Sequence, residues 1–262
     1  MNIHFIASGS RGNLTIVESR GDLLVVDAGI PKSQFLAGLR ETFPDVAGHM
    51  ASAVRGVILS HEHGDHAGRV GEIAGALHVP VYCTSECLEA AAERIMKRKK
   101  GEEAAEVVTF TPGERFVLGA FRILPVETYH VRGAVGFRIE SFDGQVAIFT
   151  DLPEISADIE RAMAGCGVIS IEADYDEKML ERGTYVEELK QRIRLSHMSN
   201  GTLAKFFGNG FDASGVHDIV LTHLSMASNL PFIAEAKIKS ALRGDVRVTA
   251  LSEANLPLSL EV

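Results

Sequence analysis

Four side chains able to bind a cation, His61, His63, Asp65 and His66, stand within six residues of one another in "SHEHGDHAG", Ser60 to Gly68. Imidazole and carboxylate are the usual protein ligands of Zn²⁺ and related divalent ions, and a pair of ions needs about six or seven such groups. Four from one loop begin such a centre. Glu62 raises the zinc-protease pattern H-E-x-x-H, but that pattern needs histidine at the position held by Asp65.

A cluster of ligands is useful only if a rigid element aims it. The preceding "VRGVILS" is apolar and β-branched and predicts a buried strand, while the small residues after the motif suit the start of a helix. Upstream, "IHFIA", "LTIVES" and "GDLLVVDAG" predict antiparallel strands joined by tight turns such as "SGSRGN". Helical periodicity follows over Pro31 to Arg40, in "RVGEIAGAL", and in "SECLEAAAERIMKRKK" with a serine cap and a basic last turn. Short strands return from Val107. The last hundred residues mix strands ("VISIEA", "DIVLTH", "VRVTAL") with helices ("VEELKQRIR", "NGTLAKFF", "PFIAEAKIKSAL"). Two strand-rich halves, each with helices, predict two packed sheets with helices outside. The halves echo each other: "LLVVDAG" and "VAIFTDL" end on Asp, "GVILSH" and "DIVLTH" on His, as a duplicated half-sandwich would.

The composition sets bounds. With 262 residues, 46 % apolar and 23 % charged, the chain is expected to form a single globular domain over 1–262. It has no run of eighteen apolar residues, and the N-terminus lacks the basic and apolar regions of a secretory signal, so a cytoplasmic protein off the membrane is expected. The three cysteines are read as reduced and buried. A net charge of −9 disfavours a protein that coats nucleic acid through its overall field, though a local basic patch can hold a phosphate backbone.

The first motif, its strand and the two-half layout resemble the metallo-β-lactamase-fold hydrolases. Within them, "SGSRGN", "DAGI", "FTDL", "DYDEKML", "LKQRI", "HMSN" and "THLS" resemble the YycJ/WalJ-type proteins, near tRNase Z. The resemblance covers nearly the whole chain and implies an α/β (α+β) fold: a four-layer αββα sandwich of two mixed sheets flanked by helices. It also implies the remaining ligands. His130 in "ETYHVRGAVGF", Asp151 in "FTDL" and His223 in "LTHLS" fall at the family's later ligand positions. His61, His63 and His130 would hold one divalent ion and Asp65, His66 and His223 the other, with Asp151 shared. Two ions per chain are thus implied, Zn or Mn, with Fe also compatible.

His197, in "LSHMSNG", precedes a helix start whose free amides suit an anion. It reads as a capping residue or, by the resemblance, as the acid that protonates the leaving group with Glu172 behind it. Asp65, His197 and Glu172 are therefore the expected catalytic residues. Ser8, Ser10 and Asn13 in the glycine turn, Ser199 and Asn200 at the helix start, and Lys190 and Arg192 in "LKQRIR" are candidates for substrate contact, each with an ordinary structural alternative; the same holds for "KRKK" at 97–100. Asp27 is expected to bond loop amides. The chain departs from the family where Val131 and Arg132 follow His130, where "LPEIS" follows Asp151, and in "SHMSN".

The function implied is metal-dependent hydrolysis of a phosphodiester in nucleic acid, DNA before RNA, by an exonuclease. Only about seventy residues separate Asp151 from His223, too few for the large insertion of many superfamily ribonucleases. Alternatives are hydrolysis of a small ester, thioester or cyclic nucleotide by the same centre, or a metal-stabilised binding protein without turnover.

Overall fold

Alternate side chains of the segment Asp22–Val26 go to opposite places. Leu23 and Val25 join an apolar cluster with Phe35, Leu39 and Ile73, whereas Leu24 and Val26 join another with Phe121, Phe137 and Ile148. All are buried, so the segment is a strand covered on both faces. The computed structural model describes residues 1–43, 50–97 and 105–262.

Strands β1 (Asn2–Ala7), β2 (Leu14–Ser19) and β3 (Asp22–Val26) form an antiparallel meander, to which β4 (Val54–Ile58), β5 (Val81–Cys83) and β6 (Val107–Thr109) add in parallel. The second sheet repeats that plan. In it β7 (Phe116–Leu118), β8 (Phe121–Glu127), β9 (Val135–Ser141) and β10 (Gly144–Phe149) are antiparallel, and β11 (Val168–Glu172), β12 (Asp218–Thr222) and β13 (Arg247–Ala250) follow in parallel. Strand β14 (Leu258–Glu261) returns to the first sheet and pairs with β1, Ile3 opposite Leu260. Each sheet has seven strands among the described residues.

Helices α1 (Lys32–Thr42), α2 (Met50–Ala53), α3 (Gly64–Ala67), α4 (Val70–Leu77) and α5 (Ser85–Ile95) accompany the first sheet; α6 (Ala157–Met163), α7 (Glu177–Arg182), α8 (Glu187–Ser196), α9 (Asn200–Gly208) and α10 (Pro231–Ala241) accompany the second. Three apolar clusters fill the spaces helix–sheet, sheet–sheet and sheet–helix. That is the four-layer αββα arrangement with two mixed sheets. Helix α5 is capped by Thr84, whose hydroxyl accepts the Cys87 N–H (3.2 Å), so Ser85 is its first residue and not its cap. Of "KRKK", Lys97 pairs with Glu72 (3.1 Å), and 98–100 lie outside the described residues.

The internal echo is one of topology, shifted in its chemistry. Asp27 follows β3 and Asp151 follows β10, equivalent strands of the two halves. By strand order, however, β4 corresponds to β11, so the counterpart of the strand before His61 ends on Glu172, and the His223 strand lies one place further out.

Candidate metal centre

Strand direction explains why residues as far apart in sequence as Asp65 and His223, separated by 158 positions, meet. β3 and β4 run in parallel; so do β10, β11 and β12, and β8 shares the direction of β10 because each is antiparallel to β9. The motif loop follows β4, His130 follows β8, Asp151 follows β10 and His223 follows β12, so each candidate ligand lies beyond the carboxyl end of a strand. Turns after β3, β8, β10 and β12 put non-glycine residues into the left-handed region: Asp27 at φ 61°, Tyr129 at φ 59°, Asp151 at φ 52° and His223 at φ 55°. Such conformations cost free energy and persist where surrounding contacts dictate them.

The motif loop is held from below. Asp27 accepts the Ser60 N–H (2.8 Å) and hydroxyl (2.9 Å), and its Oδ2 lies 2.7 Å from His66 Nδ1. Asp27 thus bonds a loop amide as expected and also orients a candidate ligand. A carboxylate behind an imidazole fixes its ring and raises its basicity. Asn13 and Ala28 donate N–H groups to the carbonyls of Asp65 (2.7 Å) and His66 (2.6 Å). Gly29 permits that approach, since a Cβ there would lie 1.7 Å from the Asp65 carbonyl oxygen.

Above this support, ligand atoms of His61, His63, His130 and Asp151 lie within 4.8 Å of one another, as do those of Asp65, His66 and His223. Asp151 spans the two groups: Oδ2 is 3.0 Å from His66 Nε2, and Oδ1 is 3.7 Å from His130 Nε2 and 3.6 Å from His223 Nε2. His130 Nδ1 is fixed on the Ser196 carbonyl (2.7 Å), and its Nε2 faces His63 Nδ1 (3.2 Å). His61 is buried and its Nε2 has no hydrogen-bond partner among the described residues. A buried nitrogen costs free energy unless something binds it. The orphaned Nε2, amid imidazoles and a carboxylate, fits a divalent cation.

The electrostatics of the two groups differ. Burial holds His61 well below the usual imidazole range and also lowers His63, so both are neutral with lone pairs available. Around His66 and His223 burial acts in the same sense, but Asp151, with Asp27 on the first and Asp65 and Glu172 on the second, outweighs it and holds both well above the usual value. Those are protons a cation would displace. Asp65 is kept ionised against burial by hydrogen bonds from His223 and His66.

A third group, Asp151, Glu172, His197 and His223, is equally close. Its contacts are hydrogen bonds. Glu172, fully buried at the end of β11, accepts His197 Nδ1 (2.7 Å) and His223 Nδ1 (3.2 Å) on one oxygen and the Leu152 and Met198 N–H groups (2.9 and 3.0 Å) on the other. Burial disfavours imidazolium, yet Glu172 pushes His197 up to about 9. Nearby Asp174 is pushed up to about 7 by burial and by Glu172.

Several residues expected to touch substrate turn inward instead. Lys190 is buried and its ammonium donates to the Glu181 carbonyl (2.6 Å), so it does not face a polyanion; its i+4 neighbour Arg194 pairs with Glu181 and Glu187. A charged stem covered by its own helix hairpin is a packing element. Ser199 is the N-cap of α9 and donates to Glu177, and Asn200 is buried against Asn229 (2.9 Å). Asn13 staples the glycine turn through Gly9 and reaches His66 Nε2 (3.0 Å). Ser8 accepts the His223 N–H (3.0 Å). Ser10 and Arg192 remain exposed, as does Arg132 beside the centre, 3.7 Å from Glu86. Sequence reasoning missed Ser196, which contributes only a carbonyl and so leaves no side-chain signal.

A family model described as "Beta-lactamase superfamily domain" matches residues 23–224, which contain both sheets' candidate ligands. The chain belongs to the metallo-β-lactamase superfamily. It is accordingly a metal-dependent hydrolase of that fold. The chain is 25 % identical over 250 residues to the exodeoxyribonuclease YycJ of Bacillus anthracis, covering 92 % of this chain and 90 % of that one. It is 26 % identical over 244 residues to the exodeoxyribonuclease WalJ of Streptococcus pneumoniae, covering 90 % and 86 %. The fold is shared with the metallo-β-lactamase fold protein YhfI from Bacillus subtilis (TM-score 0.73, 18 % identity, 99 % of each chain). It is also shared with the short form of human tRNase Z (TM-score 0.65, 12 % identity, 99 % and 98 % of the chains). No described helix is long and apolar enough to cross a membrane.

Proposed function

We propose that this chain is a single-domain phosphodiesterase acting on nucleic acid, DNA before RNA, as an exonuclease. Two divalent ions, Zn or Mn, would be held by His61, His63 and His130 on one side and Asp65, His66 and His223 on the other, with Asp151 within reach of both groups. The observation that carries this is the reach of Asp151 to both groups, 3.0 Å from His66 and 3.7 Å from His130. When bound, such a pair supplies a hydroxide at neutral pH and charge to stabilise attacking and leaving oxygens. The chain's own residues supply the rest. Asp65, kept ionised, accepts a hydrogen bond from the attacking water. His197 donates a hydrogen bond from Nδ1–H to the Glu172 carboxylate, which stabilises the imidazolium, and its Nε2–H is the proton for the leaving oxygen.

Relatives named exodeoxyribonucleases along nine-tenths of the chain support the nucleic-acid substrate. With a net charge of −9, the strand is drawn in by local cations such as Arg132 and not by the overall field. Three buried free cysteines accord with a cytoplasmic location. Hydrolysis of a small ester, thioester or cyclic nucleotide is the second reading, favoured by a cavity of small-molecule size near His223. Both are tested by metal analysis of the purified protein, then turnover with Mn²⁺ or Zn²⁺ of bis(p-nitrophenyl) phosphate, end-labelled DNA and RNA, and S-lactoylglutathione. The expected profile is phosphodiester cleavage, faster on DNA. Turnover confined to the thioester overturns the reading.

A further inference from the structure

Beside the centre, on the β1 side, a cavity of 710 Å³ opens between the Ser8–Gly12 turn, helix α1 and the loop of Leu224 to Ala227. One of its walls is tied to the metal centre through His223. Ser8 lines the cavity while accepting the N–H of His223 (3.0 Å), and Leu224 and Ser225 follow that residue directly. The floor is apolar, made by Ile6, Ile30, Leu224, Leu251 and Leu256. Helix α1 packs tightly on the end of β1, where a Cβ on Gly38 would lie 2.5 Å from Ile6 Cγ2, and through Gln34, Ala37, Gly38 and Glu41 it forms one wall of the cavity. At the mouth stand Tyr185 and Met226, the latter 62 % exposed, with the polar groups of Ser10, Gln34 and Ser252 on the rim.

A space of this size, apolar below and polar at the rim, suits one small ligand or one unit of a larger one. An aromatic ring and a thioether at the entrance suit the face of a nucleobase, which stacks without regard to sequence. The charges decide which unit enters. The charged groups lining the cavity are Arg11, Glu41 and Glu253, and Arg11 is ion-paired with Glu253. With one cation against two anions among the described residues, the lining is net negative and disfavours a phosphate. A strand that ran on through the cavity would press its next phosphate against that wall; a strand that ends there would not.

We infer that the cavity holds the terminal nucleoside of a nucleic-acid strand, ending in a free hydroxyl, while the first phosphodiester lies at the metal centre. This rests on the phosphodiesterase reading and deepens it, for the wall behind the nucleoside then makes the enzyme an exonuclease. The test is fluorescence anisotropy of internally labelled oligodeoxynucleotides of one sequence: linear with hydroxyl ends, linear with the 5′ or 3′ end phosphorylated in turn, and circular. The expected result is binding of the hydroxyl-ended strand about tenfold tighter than the circle, with phosphate on one of the two ends removing that advantage. Ala37→Leu, on an exposed position of α1 facing the cavity, should bring the linear-to-circular ratio to about one, and Tyr185→Ala should lower it. Equal binding of circle and linear strand by the unaltered protein overturns the inference, as does a ratio that survives Ala37→Leu. Failure of the unaltered, metal-loaded protein to hydrolyse bis(p-nitrophenyl) phosphate overturns the phosphodiesterase reading alone, leaving the end preference to stand or fall on the ratio.

Discussion

The two halves of the molecule share a strand plan and contribute to one site in different ways. The first half offers four candidate ligands from a single loop, clamped by Asp27, Asn13 and the space at Gly29. The second offers three from three separate strand ends, His130, Asp151 and His223, with Glu172 tying His223 to His197. The first arrangement is local and survives as long as one turn is intact. The second exists only when β8, β10, β11 and β12 stand in their proper order.

Breaking the second half's contribution should therefore cost most. Asp151→Ala removes a carboxylate that reaches both groups, and hydrolysis should fall on the order of a thousandfold or more. Metal analysis should show loss from both positions, and undiminished turnover would refute the shared role.

Glu172→Gln comes next, with a drop of about tenfold to hundredfold, the range for partners that orient a site. Its signature is in pH. Glu172 pushes His197 up to about 9, so the imidazolium needed as an acid is present below that pH and lost above it. Activity of the unaltered enzyme should decline above about pH 9, and in the variant the decline should begin at lower pH. A rate–pH profile with an unmoved alkaline limb would remove His197 from the acid role.

Asp27→Asn tests the first half's clamp. The His66 ring loses its anionic partner, and metal affinity should weaken by about tenfold to hundredfold in a competitive chelator titration.

The smallest effect sharpens the comparison at its edge. Lys190→Ala should leave binding of DNA unchanged at any salt concentration, because the ammonium is spent on the Glu181 carbonyl, and should lower stability by about 1–2 kcal/mol in urea unfolding. Arg192→Ala, on the exposed side of the same helix, should weaken DNA binding slightly and more so at low salt.

The contrast between halves also sets what could be read from residues alone. The motif loop was legible because its ligands are neighbours in sequence. His130 was reachable only through the resemblance, since "ETYHVRGAV" has no periodicity and its place depends on β8 running with β10. The role of Lys190 was misread because the i,i+4 pattern shows that Lys190 and Arg194 share a face but not which neighbour covers it; α7 does. Strand β14 leaves little signal because "LSLE" alternates over four residues only, too short a run to separate from a loop, and pairing with β1 makes it a strand. The echo between the halves suggested equivalent His-ended strands, yet strand order pairs β4 with β11. A sequence pattern records which residues end strands, not how many strands lie between them.

The dispersal of the candidate ligands over both sheets bears on assembly. Each proposed ligand group draws on both sheets, so on the two-ion reading neither set is complete until one sheet docks on the other across the Phe121 and Phe137 core. Ion uptake during refolding thus becomes a clock for the final joining of the halves, and chelation should loosen that joint before it unravels either sheet.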